Sequence, residues 1–188
     1  MFLAKVFTNL LLQILIMYVS AKQASKLIGP PSGYDIILYL LKLLLLIVIA
    51  FVPLTLPFKF LLLTLFSALA GAAVRDRKKI EEALREATFI FLVMVVIGVV
   101  SIQLGLDLRP IGIILFLSLI ALFIFRIFNV TSREDYIKIA TIIFALFVVY
   151  DTNDIMQRDY DGDFVDATLD YFQDFSSILS MQLAGDED

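Results

Sequence analysis

From Ala87 to Leu106 the chain runs twenty residues without a charged side chain. That is about the length a helix needs to cross the hydrocarbon core of a bilayer. Comparable runs cover about Leu3–Ala21, Asp35–Val52, Leu56–Val74, Ile111–Val130 and Ile137–Met156. The chain is 61% hydrophobic with a mean hydropathy of +0.94, whereas soluble domains are about 45–50% apolar. The expectation is an all-α integral membrane protein, one polytopic domain over residues 1–188 with six transmembrane helices. A more polar closing helix at about 164–183 and an acidic tail, 184–188, follow them.

The links carry the turn chemistry of such a bundle. "LIGPPSG" ends the first segment, and two prolines in "PLTLP" make a tight hairpin between the second and third. Pro110 suits the first turn of the fifth helix. "RDRKKIEEALRE", with mixed charges at helical spacing, reads as a solvated start to the fourth. The first segment could be a signal peptide ending in "VSA", but its length, Asn9 and Gln13 fit a span packed on other helices. Small residues four apart, Ser67 with Gly71 and Ala68 with Ala72, let helices approach closely in lipid.

Cysteine and histidine are absent. Disulfides, Cys/His metal or haem sites, a thiol nucleophile and a Ser–His pair are thereby excluded. Titration chemistry falls to carboxylates, and these are concentrated. Residues 151–188 hold 11 of the 19 acidic residues against one basic residue, a net of −10, while residues 1–150 net +6. The body lacks a sustained basic face, so no nucleic-acid partner is expected. The acidic tail "AGDED" could dock a protein partner.

Asp151 stands near the end of a long apolar run. An ionised carboxylate at mid-bilayer costs about 2.5–3.5 kcal/mol even on lenient insertion scales, and such residues mark ion or proton paths. Asp154 follows one turn later on the same side. In the closing helix Asp166, Asp170 and Asp174 recur every four residues, with Asp163 before and Ser177 after. A solvated helix face accounts for Asp163 and Asp166. Asp174 sits among apolar residues, which favours the interior. Two carboxylates meeting in a low-dielectric bundle share a proton, and such a pair is a ready pH switch. Asp159, Asp161, Asp163 and Asp170 imitate positions 1, 3, 5 and 12 of an EF-hand loop, but the glycine is misplaced. Loose calcium binding by Asp159, Asp161 and Asp163 is the most that spacing supports.

"VVYDTNDIM" followed by "ATLDYFQDFSSIL" resembles the closing signature of the transmembrane BAX inhibitor motif family. Tyr150, Asp151 and Thr152 fall on its first motif. Ala167, Leu169, Asp174 and Ser177 fall on the second, with Ser177 in place of the usual asparagine. Weaker likeness extends over the first, third, fourth and fifth helices. The resemblance implies six transmembrane helices around a seventh, acidic closing helix, and a pH-sensitive calcium leak. Its gate would be the pair Asp151 and Asp174, with Asp154, Asp170 and Ser177 along the ion path. Calcium would be a permeant or weakly held ion, with no tightly bound cofactor. Residence in the endoplasmic reticulum or another internal membrane, and a damping of cell death, are also implied. Family members often carry a basic residue at the end of the second helix. Here that place reads "VPLTLP", leaving Lys42, deeper in the helix, as the candidate basic partner, and Ala70 stands where many members have a glutamate.

The family places the N-terminus in the cytoplasm. Ten basic residues lie in the opposite set of loops against four on the N-terminal side, and the positive-inside rule points the other way. Two further functions compete. A non-conducting scaffold, organellar or viral, would keep the fold without the leak. An intramembrane aspartyl protease would need Gly-x-Gly-Asp where this chain has "YFQD", and a Pro-Ala-Leu motif that it lacks.

Overall fold

The computed structural model of the chain describes residues 2–27, 35–74, 80–158, 160 and 162–185. Among them seven helices form and no strand: α1 (Phe2–Leu27), α2 (Asp35–Phe51), α3 (Leu56–Ala73), α4 (Ile80–Gln103), α5 (Arg109–Ile127), α6 (Arg133–Gln157) and α7 (Phe164–Gly185). Five of them are long and apolar enough to cross a membrane: α1, α3, α4, α5 and α6.

The helix ends follow local chemistry more closely than hydropathy. Ser132 caps α6 by accepting from the Asp135 amide at 3.0 Å, so the helix starts four residues before its apolar run. The fourth and fifth spans were expected to reach Leu106 and Val130, yet α4 and α5 each stop three residues sooner. Gly105 at φ +73° and Asn129 at φ +54° turn the chain out, and the Leu106 and Val130 amides close the ends on Ser101 O and Phe125 O at 3.0 and 2.9 Å.

The chain divides into two compact units, Met1–Lys78 with Tyr160–Phe172, and Lys79–Asp159 with Gln173–Asp188. In the first, α3 packs on both α1 and α2. Ser20 Oγ donates to Ala68 O at 2.7 Å, and a Cβ built on Gly71 would lie 2.1 Å from Met17 O. Near the other end Lys5 and Phe60 line one cavity. Residue numbers rise together along both helices, so α1 and α3 run parallel. α2, which joins them, therefore runs back the whole way. At 17 residues it is about 25 Å long, short of the roughly 30 Å core.

The second unit repeats the pattern. α6 packs on α4 and α5. Gly98 meets Thr152, with a built Cβ only 2.5 Å from Thr152 Cβ, and Asn153 Nδ2 donates to Ser101 Oγ at 3.0 Å. α4 and α6 are thus parallel. α5 is antiparallel to α6, as Asn153 accepting from the Leu108 amide at one end and Leu122 packing with Ala140 and Ile143 at the other require. The outer faces expose large apolar side chains such as Leu11, Leu15, Leu40, Leu44, Phe58 and Leu61 in the first unit, and Ile113, Phe116 and Leu117 in the second. Apolar surface on that scale belongs against lipid.

The more polar closing helix, α7, is buried or half-buried along most of its length. Val165, Ala167, Tyr171 and Phe172 are fully buried in its first part, and Phe175, Ile178 and Leu179 in its second. In the first unit Tyr171 stacks on Phe7 at 5.6 Å and Phe172 meets Phe66 edge-on at 5.9 Å. In the second, Phe175 meets Phe91 edge-on at 5.8 Å. Such ring pairs add about 0.5–1.5 kcal/mol each beyond their burial.

Candidate functional site

Asp151 is half-buried on α6. The two residues after it are buried outright, and each is tied down. Thr152 Oγ1 donates to Val148 O at 2.7 Å. Asn153 uses both ends of its amide. Nδ2 donates to Ser101 Oγ and, at 2.9 Å, to Leu106 O, while Oδ1 accepts from the Leu108 amide at 3.1 Å and from Gln157 Nε2 at 2.8 Å. This network locks the α4–α5 link onto α6 one turn from Asp151, so the carboxylate sits on a fixed stretch of helix. Asp154, the next acid, has a side chain only 14% exposed and lies 3.7 Å from Arg158 Nη1.

The acidic stripe of α7 resolves into separate tasks. Asp163 caps the helix: its Oδ1 accepts from the Val165 and Asp166 amides at 3.0 and 3.2 Å. Its Oδ2 and that of Asp166 both accept from Lys59 Nζ, at 2.7 and 2.6 Å. One ammonium thus bridges two carboxylates, which offsets the like-charge repulsion at the helix start. Asp170 accepts from the Tyr160 hydroxyl at 3.2 Å, and that ring stacks on Phe2. Asp174 is 6% exposed, in the same unit as Asp151. Ser177, one turn further on, is half-buried.

Other candidates stand elsewhere. Lys42 holds its ammonium 5.5 Å from the Phe66 ring centroid, a cation–π contact within the first unit. Asp159 and Asp161 lie outside the described residues, and among the described residues no three acidic side chains converge as metal ligands. One basic residue that engages the start of α7 is Lys59. It stands at the first turn of a helix, where a lysine usually reaches for water, and nothing local to it signals a pairing more than 100 residues away. Asn153 was equally silent, since its neighbour Asp151 drew the attention.

Outside the lipid-crossing segments, Arg109 forks onto Asp107. Nε and Nη2 reach Oδ1 and Oδ2 at 2.9 and 2.7 Å. These hydrogen bonds hold the Asp107 carboxyl down at about 2.

No curated protein matches the chain at a significant level. A family model does, Bax1-I, described as inhibitor of apoptosis-promoting Bax1, over residues 1–184. With a multi-pass helical membrane fold, a buried Asp174 on the closing helix and a family match that runs nearly end to end, the chain belongs to the Bax1-I, or Bax inhibitor-1-like, family.

Proposed function

We propose that the protein is a non-enzymatic cation leak of an internal membrane, with calcium as its permeant ion, whose conducting state is set by the protons on Asp151 and Asp174. In this reading α7 is the central helix, enclosed by the six spans, and the leak tempers cell death by lowering the calcium content of a store. The observation that carries it is the burial of Asp174 at 6% exposure within the unit that also holds Asp151. A carboxylate so placed is expensive unless it serves a path or shares a proton.

Packing within the same unit supports the pairing. Arg133 Nη2 donates to Ala184 O at 3.0 Å, and a Cβ built on Gly185 would lie 3.8 Å from Ile137 Cγ2. The end of α7, the helix of Asp174, therefore lies against the start of α6, the helix of Asp151.

The test is calcium flux into dye-loaded liposomes holding the purified protein, at pH 6 and pH 8, beside Asp151→Asn and Asp174→Asn. Flux that depends on pH, with the dependence altered by either substitution, is the expected result. Folded protein that passes no calcium at either pH would overturn the leak and leave a membrane scaffold.

A further inference from the structure

Near the start of α1 lies a cavity of about 390 Å³, lined by Ala4, Lys5, Thr8, Asn9 and Leu12 of α1, with Phe60 of α3 and Phe164 of α7. All of these belong to the first unit. We propose that it is a binding site for one anionic phospholipid, with the phosphate against Lys5 and Asn9 and an acyl chain along Leu12 and Phe60.

Three observations bear on the ligand. The first is an unmet polar group. Asn9 is 5% exposed and Gln13 fully buried, and Gln13 Nε2 donates to Asn9 Oδ1 at 3.0 Å. Asn9 Nδ2 and Gln13 Oε1 are left buried without a hydrogen-bond partner. A leftover donor on a cavity-lining residue calls for an acceptor that the protein does not supply, at a penalty of about 1–3 kcal/mol while unmet.

The second is charge. Lys5 is the charged residue in the lining, its ammonium 6.0 Å from the Phe164 ring centroid. The nearby Asp163 and Asp166 are engaged by Lys59. α1 and α3 also both start at this end, and helix N-termini favour an anion.

The third is depth. Lys5 is the fourth residue of α1, about 5 Å from the helix start, and Leu12 lies about 10 Å deeper. Along α1 the lining therefore runs from the charged Lys5 through Thr8 and Asn9 to the apolar Leu12, the order in which a lipid presents its own parts. The cavity volume is within the range of small-molecule sites, about 300–1,000 Å³, and Leu12 in its lining is itself 41% exposed, on the lipid-facing side of α1.

The chain contains no tryptophan, so one introduced indole reports alone. In reconstituted Leu12→Trp protein, bilayers doped with phosphatidylglycerol carrying brominated acyl chains should quench the indole at about one-fifth the mole fraction that brominated phosphatidylcholine needs, the preference expected of one lysine near a membrane surface. Lys5→Gln in that background should bring the two lipids level. A control indole at Leu117, 57% exposed on α5, should show no preference. Equal quenching by both lipids at Leu12→Trp, a preference that survives Lys5→Gln, or the same preference at Leu117→Trp each overturns the site. Circular dichroism confirms folding of each variant, and Phe60→Trp serves as reporter if Leu12→Trp does not fold.

Discussion

Substituting Gly71 by alanine adds one methyl group at a place with no room for it. The new Cβ would lie 2.1 Å from Met17 O, 2.9 Å from Met17 C and 3.0 Å from Ala21 N. All three are backbone atoms of α1, so no rotamer change relieves the contact. α1 and α3 must part by about 1 Å, and a gap of that size forfeits a quarter to a half of the dispersion energy of each facing atom pair. Met17, Ala21, Ala70 and Ala72, now at most 6% exposed, lose contacts, and the hydrogen bond from Ser20 to Ala68 O stretches. Overpacking of this kind costs about 1–3 kcal/mol, here at the upper end because backbone is the obstacle. Alanine returns up to about 1 kcal/mol of helix propensity, for a net loss of about 2 kcal/mol. The assay is reversible unfolding in mixed micelles followed by circular dichroism. Gly185→Ala is the control, because its Cβ would meet Ile137 Cγ2 at an ordinary 3.8 Å, and it should stay within about 0.5 kcal/mol of wild type. Gly71→Ala as stable as wild type would refute the close approach of α1 and α3.

Asn153→Ala removes the partner of the Leu108 amide and the closer of two donors to Leu106 O, and should cost about 2 kcal/mol in the same unfolding assay. Lys59→Met and Asp166→Asn, combined in a double-mutant cycle, should show a coupling of about 1 kcal/mol at low salt, since Asp166 is 38% exposed and solvent screens the pair. Repeating the cycle in high salt should shrink it. Asp107 has a folded-state pKa of about 2, below that of an unfolded carboxylate. The stability it adds is therefore complete above about pH 4 and is lost as pH falls from there through pH 2. Thermal melts of wild type and Asp107→Asn should accordingly run parallel between pH 5 and pH 8 and converge below pH 4.

The spans were legible because each is long, apolar and bounded by proline, glycine or charge, signals confined to neighbouring residues. Helix ends were less so: hydropathy counts Leu106 as part of a span, but the left-handed turn at Gly105 decides where α4 stops. α7 misled for a different reason. Its aspartates at every fourth position suggest one wet face, yet Asp163 and Asp166 share Lys59, and Asp170 meets Tyr160. Those partners stand about 100 residues away or across a turn. Similarly, Asn9 and Gln13 were recognisable as interior residues, but the donor left over between them is a matter of angles and distances alone.

The pairing of Lys59 with α7 has a more instructive origin. What decides it is which end of its unit each helix starts from. Within the first unit α1, α3 and the start of α7 begin at one end: Lys5 lies by Phe164, and Lys59 by Asp163. A lysine four residues into the third helix and an aspartate just before the seventh are therefore at the same depth, whatever their separation in sequence. Asp174 is ten residues into α7, about 15 Å from its start, and Asp151 is six residues before the end of α6, about 9 Å from that end. With Asp151 half-buried and Asp174 buried, Asp151→Asn should slow the response of flux to a pH jump, whereas Asp174→Asn should change the flux that the steady state settles to. Indistinguishable effects in stopped-flow measurements on oriented liposomes would count against two carboxylates acting in sequence.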